Sequence, residues 1–269
     1  MSFAGKQIRL SRIFRRDDGK TVIIAVDHGR RYGAIQGLER FADRIKELVR
    51  ADIDALMMTP AMIEKVFEIV SGKVGLIARI DGTGGIHSRD ETDDRLISSV
   101  KRAVAVGADA VAVMVYPGSD NENMLWEKLA LVVEEAYEYG IPVLAEAVPR
   151  PPRLPDKFDP EAILYGARIS AELGADIVKI PSTGSRESFR KIIESTPVPV
   201  VVLGGPKVDS LEKILRIVWE SMKAGAKGVA IGRNVFQHDS PVKVANALSL
   251  IVHENYNHLE AMKKTGLLT

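Results

Sequence analysis

The feature that most constrains this sequence is a regular alternation between short apolar runs rich in β-branched residues and longer stretches with the period of an amphipathic helix. The apolar runs are nearly continuous, which is typical of parallel strands buried on both faces. Helical segments such as FADRIKELVR and LEKILRIVWESMKA separate them. We therefore predict eight strands, over residues 21–26, 53–58, 74–80, 109–115, 142–148, 175–180, 198–203 and 227–231.

A weak internal repeat supports this alternation. The segments VGADAVAVMV, LGADIVKI and AGAKGVAIG each place Gly-Ala where a helix ends and the next strand begins. Eight βα units in 269 residues, without a Pro/Ser-rich linker, favour one closed barrel over a two-domain dinucleotide-binding fold. We predict an α/β protein with a single (βα)8 TIM barrel domain over residues 1–269, in which the short N-terminal extension before Thr21 closes the bottom of the barrel.

Composition argues against several classes of function. The 37 Lys plus Arg residues nearly balance the 36 Asp plus Glu residues, whereas nucleic-acid-binding proteins usually carry a basic excess, so we expect no nucleic-acid partner. Without cysteine there is no disulfide, no thiol nucleophile and no Cys-ligated metal. The chain has no signal-peptide pattern and no apolar run of about 18 residues, so we expect a cytoplasmic protein without a membrane partner.

The five histidines are scattered along the chain and show no metal-ligand spacing. We therefore expect neither a metal nor another cofactor. His238, His253 and His258 are expected to be capping and surface groups.

Lys179 is the strongest single candidate for chemistry. It lies in the apolar run IVKI of the sixth predicted strand, and the βα loops that follow the strands of a parallel barrel gather on one face. A lysine is rarely buried without a partner or a task. A buried amine is more easily neutral, and a neutral amine attacks a ketone or an aldehyde to form a Schiff base. The alternative is a structural ion pair with Asp27, Asp81 or Glu146.

Glycine-rich turns follow the last two predicted strands. Gly204 and Gly205 belong to GGPK after the seventh strand, and Gly232 precedes Arg233 after the eighth. Glycines let backbone N–H groups approach an anion closely, and an arginine adds a bidentate clamp. Either turn alone is explained by a tight chain reversal, but two on consecutive final strands predict a phosphate site. Ser182, just after the sixth strand, is a further candidate for substrate binding.

Asp27 and His28 directly follow the first predicted strand. Asp27 is suited to exchanging a proton with a substrate hydroxyl, or to holding the lysine ammonium. His28 is suited to binding substrate or to capping the loop. We expect Asp27 to be the more important of the two.

Five motifs link this chain to a known family. They are RLSRIF at 9–14, DHG at 27–29, GADIVK at 174–179, VVLGGPK at 201–207 and GVAIGRNVFQHD at 228–239. With these motifs the sequence resembles, nearly from end to end, the archaeal-type class I fructose-bisphosphate aldolase family, which includes the aminodideoxyheptulosonate synthases.

The resemblance implies a (βα)8 barrel with a Schiff-base lysine at Lys179 and an acidic partner at Asp27. It also implies phosphate binding by Gly204, Gly205, Gly232 and Arg233, without a metal. Family members are commonly homo-oligomers, so the resemblance implies a pentamer or a decamer. For the aldolases it implies cleavage of fructose 1,6-bisphosphate.

One departure from the family lies at the end of the fifth predicted strand. Family aldolases carry Tyr-Pro-Arg there, with the phenol as general acid and base, whereas this chain has Val148 in place of the tyrosine. Two residues earlier, on the same face of the strand, Glu146 replaces a bulky apolar residue of the family. We expect Glu146 to take over proton transfer, with its pKa raised towards neutrality by burial. Tyr116 is the second candidate, and the alternative is that Glu146 only balances the charge of Lys179.

These observations predict a class I aldolase, a lyase that acts on a phosphorylated ketose, with fructose 1,6-bisphosphate as the first candidate. A neighbouring hypothesis is a transaldolase of the 2-amino-3,7-dideoxy-D-threo-hept-6-ulosonate synthase type. From a different class, the protein could be a catalytically silent oligomer that binds sugar phosphates, a hypothesis that the absence of the strand-five tyrosine favours. Retention of Lys179 and Asp27 argues against that hypothesis.

Overall fold

The strands of the protein form a closed parallel barrel, as predicted. The computed structural model describes residues 3–205 and 210–268. Each strand pairs with the next along the chain, and the last pairs with the first. Every predicted strand is confirmed, somewhat shorter than the apolar run that indicated it. Within the described residues the strands are β1 (Thr21–Ala25), β2 (Ala55–Met58), β3 (Gly75–Arg79), β4 (Ala110–Val115), β5 (Val143–Ala147), β6 (Ile177–Ile180), β7 (Val200–Leu203) and β8 (Gly228–Ile231).

Helices surround the barrel and connect its strands, which confirms the (βα)8 architecture. None of the helices in the described part of the chain has the length and apolar character needed to cross a membrane. In chain order the helices are α1 (Phe3–Ile13), α2 (Gly29–Tyr32), α3 (Phe41–Leu48), α4 (Pro60–Val70), α5 (Val100–Ala105), α6 (Glu122–Tyr139), α7 (Pro160–Glu172), α8 (Arg186–Glu194), α9 (Leu211–Ala224), α10 (Arg233–Phe236), α11 (Pro241–Val252) and α12 (His258–Lys264).

The strands divide their apolar side chains between two cores. In β1, Val22 and Ile24 belong to the outer core beneath the helices, whereas Ile23 and Ala25 belong to the core inside the barrel. This alternation follows from the two-residue period of a strand. The inner core continues around the barrel through Met57, Ile77, Ala112, Leu144, Ile177, Val201 and Ala230.

The N-terminal extension closes the bottom of the barrel, which confirms its predicted place. Ile13, the last residue of α1, is fully buried in the inner core, and Leu10 and Phe14 pack against the same cluster. The hydroxyl of Thr21 donates a hydrogen bond to the carbonyl of Ile13 at 2.8 Å. The apolar end of α1 therefore fills the opening below the inner core.

The aspartates of the Gly-Ala-Asp repeats join neighbouring strands at this end of the barrel. Asp109, which precedes β4, accepts a hydrogen bond from the backbone N–H of Leu76 in β3 at 3.0 Å. Asp176, which precedes β6, accepts one from Val143 in β5 at 2.9 Å. The repeat in the sequence is therefore a repeated strand-to-strand contact in the structure.

Asp54, which precedes β2, makes the same contact to β1 through the N–H of Val22 at 2.8 Å. Cationic side chains of the N-terminal segment reach these aspartates. The ion pairs are Lys6–Asp176 at 3.0 Å, Arg12–Asp109 at 2.9 Å and Arg16–Asp54 at 3.7 Å.

His253 is not the surface group that we predicted. The end of α11 carries it onto the bottom of the barrel, where its side chain is 3% exposed. Nδ1 lies 2.8 Å from Oδ2 of Asp18, and Nε2 lies 2.9 Å from Oδ2 of Asp54. Burial alone would lower the pKa of His253, but the hydrogen bonds to Asp54 and Asp18 outweigh it and raise the pKa. The sequence shows no local sign of these distant partners.

Candidate active site

A cavity of about 330 Å³ opens at the carboxyl ends of the strands. This is the face of a (βα)8 barrel on which active sites are built. The cavity brings together most of the site residues predicted from the sequence, with Ser182 as the exception. The predicted residues that line it are Asp27, His28, Tyr116, Glu146, Lys179, Gly204, Gly205, Gly232 and Arg233.

Lys179 and Glu146 face each other at the floor of this cavity. Each lies two residues beyond an inner-core residue of its strand, Ile177 in β6 and Leu144 in β5, so both side chains point inwards. The strand register places Lys179 directly beside Glu146. Lys179 is only 4% exposed, and its Nζ lies 2.9 Å from Oε1 of Glu146. The ion-pair partner left open by the sequence is therefore Glu146.

Arg79 completes this charged cluster, and sequence reasoning missed it. The side chain lies on the inner face of β3 and is fully buried. Its Nε donates a hydrogen bond to Oδ2 of Asp27 at 2.9 Å, and its Nη2 donates one to Oε2 of Glu146. A charged residue inside the apolar run GLIARI is the same signal that identified Lys179. We could have applied it to Arg79 as well.

The carboxyl groups of this cluster stay ionised, which corrects our expectation for Glu146. Burial alone would raise the pKa of Glu146, but the positive charges of Lys179 and Arg79 outweigh it and lower the pKa. Burial also acts to raise the pKa of Asp27, and the charge of Arg79 overcomes it, so this pKa falls well below its usual range. The predicted shift of Glu146 towards neutrality was wrong because it considered burial alone, whereas the charges of Lys179 and Arg79 together outweigh the effect of burial.

His28 is neutral and tightly packed at the edge of the cavity. Burial lowers the pKa of His28 to about 4, against the opposing effect of Asp27. The imidazole makes an edge-on contact with Phe236, with 5.2 Å between ring centroids. A Cβ atom at Gly232 would lie 2.3 Å from Cε1 of His28. Only glycine fits at position 232 while the ring stays in this place.

Tyr116 is enclosed by arginines beside the position of the missing tyrosine. Its hydroxyl accepts a hydrogen bond from Nη1 of Arg31 at 2.7 Å, and the guanidinium of Arg150 lies 5.3 Å from the ring centroid. Tyr116 follows Val115, which pairs with Ala147, so its neighbour on β5 is Val148. Burial raises the pKa of Tyr116, which keeps the phenol protonated at neutral pH.

Further cations surround the mouth of the cavity. Arg30, Arg31, Arg150 and Lys157 belong to its lining, together with Glu91 from the long loop after β3. Arg31 donates to Oε2 of Glu91 at 2.7 Å, so this loop is tied to the wall of the cavity. The sequence does not indicate these residues, because loop residues carry no periodic signal. The mouth carries a net positive charge suited to an anionic substrate.

The glycine turns after β7 and β8 lie side by side. Asn234 donates from Nδ2 to the carbonyl of Gly204 at 3.0 Å. Gly205 has a φ of 64°, a left-handed conformation that favours glycine. Nε of Arg233 is buried without a hydrogen-bond partner among the described residues. Pro206 and Lys207, the rest of the predicted GGPK turn, lie outside the described residues.

Ser182 does not line the cavity. Its hydroxyl accepts a hydrogen bond from Oγ of Ser221 on α9 at 3.2 Å and another from the N–H of Gly184 at 3.3 Å. The turn after β6 therefore directs it towards the helix layer. No group of His, Asp and Glu side chains within the described ranges could hold a metal ion.

Comparison with known proteins identifies the family. The model of the DeoC/LacD family aldolases matches residues 21–238. An uncharacterized aldolase of Saccharolobus solfataricus is 35% identical, over 96% of this chain and 98% of its own length. The 2-amino-3,7-dideoxy-D-threo-hept-6-ulosonate synthase 1 of Archaeoglobus fulgidus is 38% identical, over 97% of this chain and 96% of its own length.

A solved structure is also similar to this chain over most of its length. It is an archaeal fructose-1,6-bisphosphate aldolase whose catalytic lysine is covalently bound to the carbinolamine intermediate of its substrate. It superposes with a TM-score of 0.84 at 34% identity, covering 92% of this chain and 99% of that chain. These similarities confirm the predicted resemblance and the prediction of an enzyme that makes or breaks C–C bonds. The chain belongs to the DeoC/LacD family of aldolases.

Proposed function

We propose that the protein is a class I aldolase in which Lys179 forms a Schiff base with the ketone of a phosphorylated ketose, with fructose 1,6-bisphosphate as the first candidate. The observation that carries this proposal is the buried amine of Lys179, which lies 2.9 Å from a carboxylate at the floor of the cavity. The solved relative, whose lysine is bound to a carbinolamine, supports it.

Lys179 and Glu146 together carry out the formation of the Schiff base at the lysine nitrogen. The ionised Glu146 takes a proton from the ammonium of Lys179, the freed amine attacks C2 of the ketone, and Glu146 passes that proton to the ketone oxygen, which becomes the carbinolamine hydroxyl. Glu146 then takes the proton that the attached nitrogen loses. Glu146 returns a proton to the carbinolamine hydroxyl, which leaves as water and gives the iminium ion. The iminium then withdraws electrons from the C3–C4 bond as it breaks, which leaves an enamine on Lys179 and releases the aldehyde half.

We assign to Tyr116 the transfer of a proton to and from the aldehyde oxygen. In the direction of bond formation its phenol donates a proton to the carbonyl oxygen of the acceptor. Cleavage requires the phenolate, which is the minor form at neutral pH because burial raises the pKa of Tyr116, and the hydrogen bond from Arg31 favours it. The phenolate takes the proton of the C4 hydroxyl and returns it to C3 of the enamine. Its place beside Val148 supports this role in a chain that lacks the family tyrosine. Asp27, held by Arg79, is suited to binding a substrate hydroxyl.

The substrate phosphate belongs, in this proposal, at the turns of Gly204, Gly205 and Gly232. The buried Nε of Arg233, which has no hydrogen-bond partner among the described residues, is available to it. Binding energy from this remote group orients the ketone towards Lys179. The cations at the cavity mouth suit the second phosphate of fructose 1,6-bisphosphate.

A second candidate is the transaldol reaction of the 2-amino-3,7-dideoxy-D-threo-hept-6-ulosonate synthases. The relative from Archaeoglobus fulgidus, 38% identical, carries that name. The same lysine and phosphate turns serve this reaction, whose acceptor is a different aldehyde. Both candidates use Lys179 on a phosphorylated keto sugar, and they differ in the acceptor aldehyde.

Reduction of a trapped imine tests the proposal. The protein is incubated with dihydroxyacetone phosphate or fructose 1,6-bisphosphate, reduced with borohydride, and mapped by peptide mass spectrometry. We expect an adduct on Lys179 and none in Lys179→Ala, with cleavage of fructose 1,6-bisphosphate by the unmodified enzyme. Thermal stabilisation by these ligands without any adduct would contradict the proposal and favour a silent sugar-phosphate-binding protein. An adduct without cleavage would favour the transaldolase.

Assembly into a homo-oligomer stays a prediction. Aromatic side chains such as Tyr137 on α6 and Tyr165 on α7 are exposed on the outer surface, as subunit contacts would require. Sedimentation velocity measures the number of subunits directly, and a pentamer or a decamer is expected.

A further inference from the structure

Arg79 is a buried cation to which the proposed reaction assigns no step. It is fully buried on the inner face of β3, and it spans the barrel between β1 and β5. Besides Asp27 and Glu146, it approaches Asp81, with 3.5 Å from Nη1 to Oδ1. An arginine placed in this way has been withdrawn from water and needs several partners to offset that cost. Its partners include the carboxylate that contacts Lys179.

The arrangement divides the charge of Glu146 between two cations. Oε1 of Glu146 contacts Lys179, and Oε2 accepts from Arg79. Without Arg79, the full negative charge of Glu146, reinforced by that of Asp27, would act on Lys179. An opposite charge nearby favours the charged form of a group, so the lysine would give up its proton less readily, and an ammonium ion is not a nucleophile.

We propose that Arg79 is a positioning residue for the Schiff-base lysine, because its guanidinium orients Glu146 and Asp27 and draws their negative charge away from Lys179, so that the lysine gives up its proton more readily. This inference rests on the proposed function. Arg79 acts through the two carboxylates, and no contact between Arg79 and Lys179 is required.

Other groups around Lys179 do not substitute for Arg79. From α2, Nε of Arg30 lies 3.8 Å from Asp27, too far for a hydrogen bond. His28, from the same turn, is neutral at pH 7 because burial lowers its pKa. Arg233, from α10, stacks over the ring of Tyr32 at 5.5 Å. From the end of β3, Asp81 adds negative charge, and it is shared with Lys128 at 2.6 Å.

The pH profile of imine trapping tests this inference. The rate of borohydride-trapped adduct on Lys179 is measured from pH 6 to 10 with dihydroxyacetone phosphate, in the unmodified enzyme, Arg79→Met and Arg79→Lys. For Arg79→Met we expect the half-maximal rate at a pH higher by about one unit, which is about tenfold less trapping at pH 7, with recovery at pH 10. Arg79→Lys keeps the positive charge but loses the planar guanidinium that donates to both carboxylates. We therefore expect a pH profile between those of the unmodified enzyme and Arg79→Met.

A double variant keeps the test informative if Arg79→Met folds poorly. Arg79→Met combined with Glu146→Gln removes one negative charge together with the positive one, so the half-maximal pH should return towards that of the unmodified enzyme, while the maximal trapping rate falls because Glu146 no longer transfers protons. An unshifted profile with uniformly slower trapping in Arg79→Met would overturn the role of Arg79 and leave only a structural one. Absence of any adduct in the unmodified enzyme would instead refute the proposed function, and this inference with it.

Discussion

Nζ of Lys179 lies 2.9 Å from Oε1 of Glu146, and the two residues are direct partners in the register of β5 and β6. The ion pair is therefore built into the sheet and does not depend on a flexible loop. A change at Glu146 leaves Lys179 buried without this partner, whereas a change at Lys179 leaves Glu146 paired with Arg79 alone. The stability of the barrel and the chemistry of the lysine are coupled at this point.

The first prediction concerns the free energy of unfolding of Glu146→Gln. Removal of one partner of a buried ion pair leaves uncompensated positive charge, so we expect a loss of about 3 kcal/mol in urea unfolding at pH 7. The matched control is Glu172→Gln, which breaks the exposed pair with Arg168 on α7 and should cost under about 0.5 kcal/mol. Equal losses in the two variants would contradict the burial argument.

The second prediction concerns stability in acid. The folded-state pKa values of Asp27 and Glu146 are lowered, so their ionised forms stabilise the fold above the unfolded-state pKa of about 4. That contribution is lost as the pH falls from there through the folded-state values. Urea unfolding between pH 7 and 3 should show a steep loss that is smaller in Glu146→Gln. Parallel pH profiles would argue against these lowered pKa values.

The third prediction concerns Tyr116. Tyr116→Phe removes the phenol that we assign to proton transfer, so kcat should fall by about 10²-fold to 10⁴-fold while the adduct on Lys179 still forms. Tyr137→Phe, on the exposed face of α6, provides a control that should leave kcat unchanged. If Tyr116→Phe keeps normal kcat, the proton transfer belongs to another group, and Asp27 is then the next residue to test.

The fourth prediction concerns the phosphate turn. Gly232→Ala would place a Cβ 2.3 Å from His28 and 2.6 Å from the carbonyl of Ala25. The turn must shift, so we expect the KM for a phosphorylated ketone to rise at least about tenfold, with adduct formation recovered at high substrate concentration. Gly29→Ala, where an added Cβ meets no atom within 4 Å, is the control and should leave KM unchanged. A normal KM in Gly232→Ala would place the phosphate elsewhere.

The fifth prediction concerns His253. Its folded-state pKa is raised, so the protonated ring contributes its full stabilisation below the unfolded-state pKa of about 6.5, and this contribution is lost as the pH rises through the folded-state value. His253→Gln should therefore cost about 1–3 kcal/mol at pH 6 and less at pH 9. Thermal or urea unfolding of both proteins at the two pH values measures this difference. A cost that does not change with pH would show that His253 acts while neutral.

The sequence predicted the barrel because each strand carries its own local signal. Near-continuous apolar runs and Gly-Ala at the helix ends are readable within ten residues, and all eight strands followed from them. Lys179 was recognisable as a charge inside such a run. Arg79 carries the same signal, but its partners come from strands 52 and 67 positions away in the chain. The ionisation of Glu146 depends on both Lys179 and Arg79, so a prediction of its pKa from burial alone had the wrong sign.

Loop residues of the cavity lay beyond sequence reasoning for a related reason. Arg31 and Glu91 meet across 60 positions of the chain, and neither stands in a periodic pattern. His253 likewise reaches Asp18 across 235 positions. Such contacts form only when the closed barrel brings distant segments together. Local patterns in the sequence do not show which distant residues will meet.

The aspartates at the bottom of the barrel also help to determine the register in which its strands pair. Three aspartates link neighbouring strands by hydrogen bonds: Asp54 links β1 to β2, Asp109 links β3 to β4, and Asp176 links β5 to β6. Each of them also forms an ion pair with a cationic side chain of the N-terminal segment. If the strands pair in a shifted register, the hydrogen bond between the aspartate carboxylate and the backbone N–H is broken. Each polar group that is left buried without a partner then costs about 1–3 kcal/mol of stability. The N-terminal segment makes all three ion pairs only when the strands are in the observed register. These contacts lie at the end of the barrel opposite Lys179, so the strand register is fixed at a distance from the catalytic face.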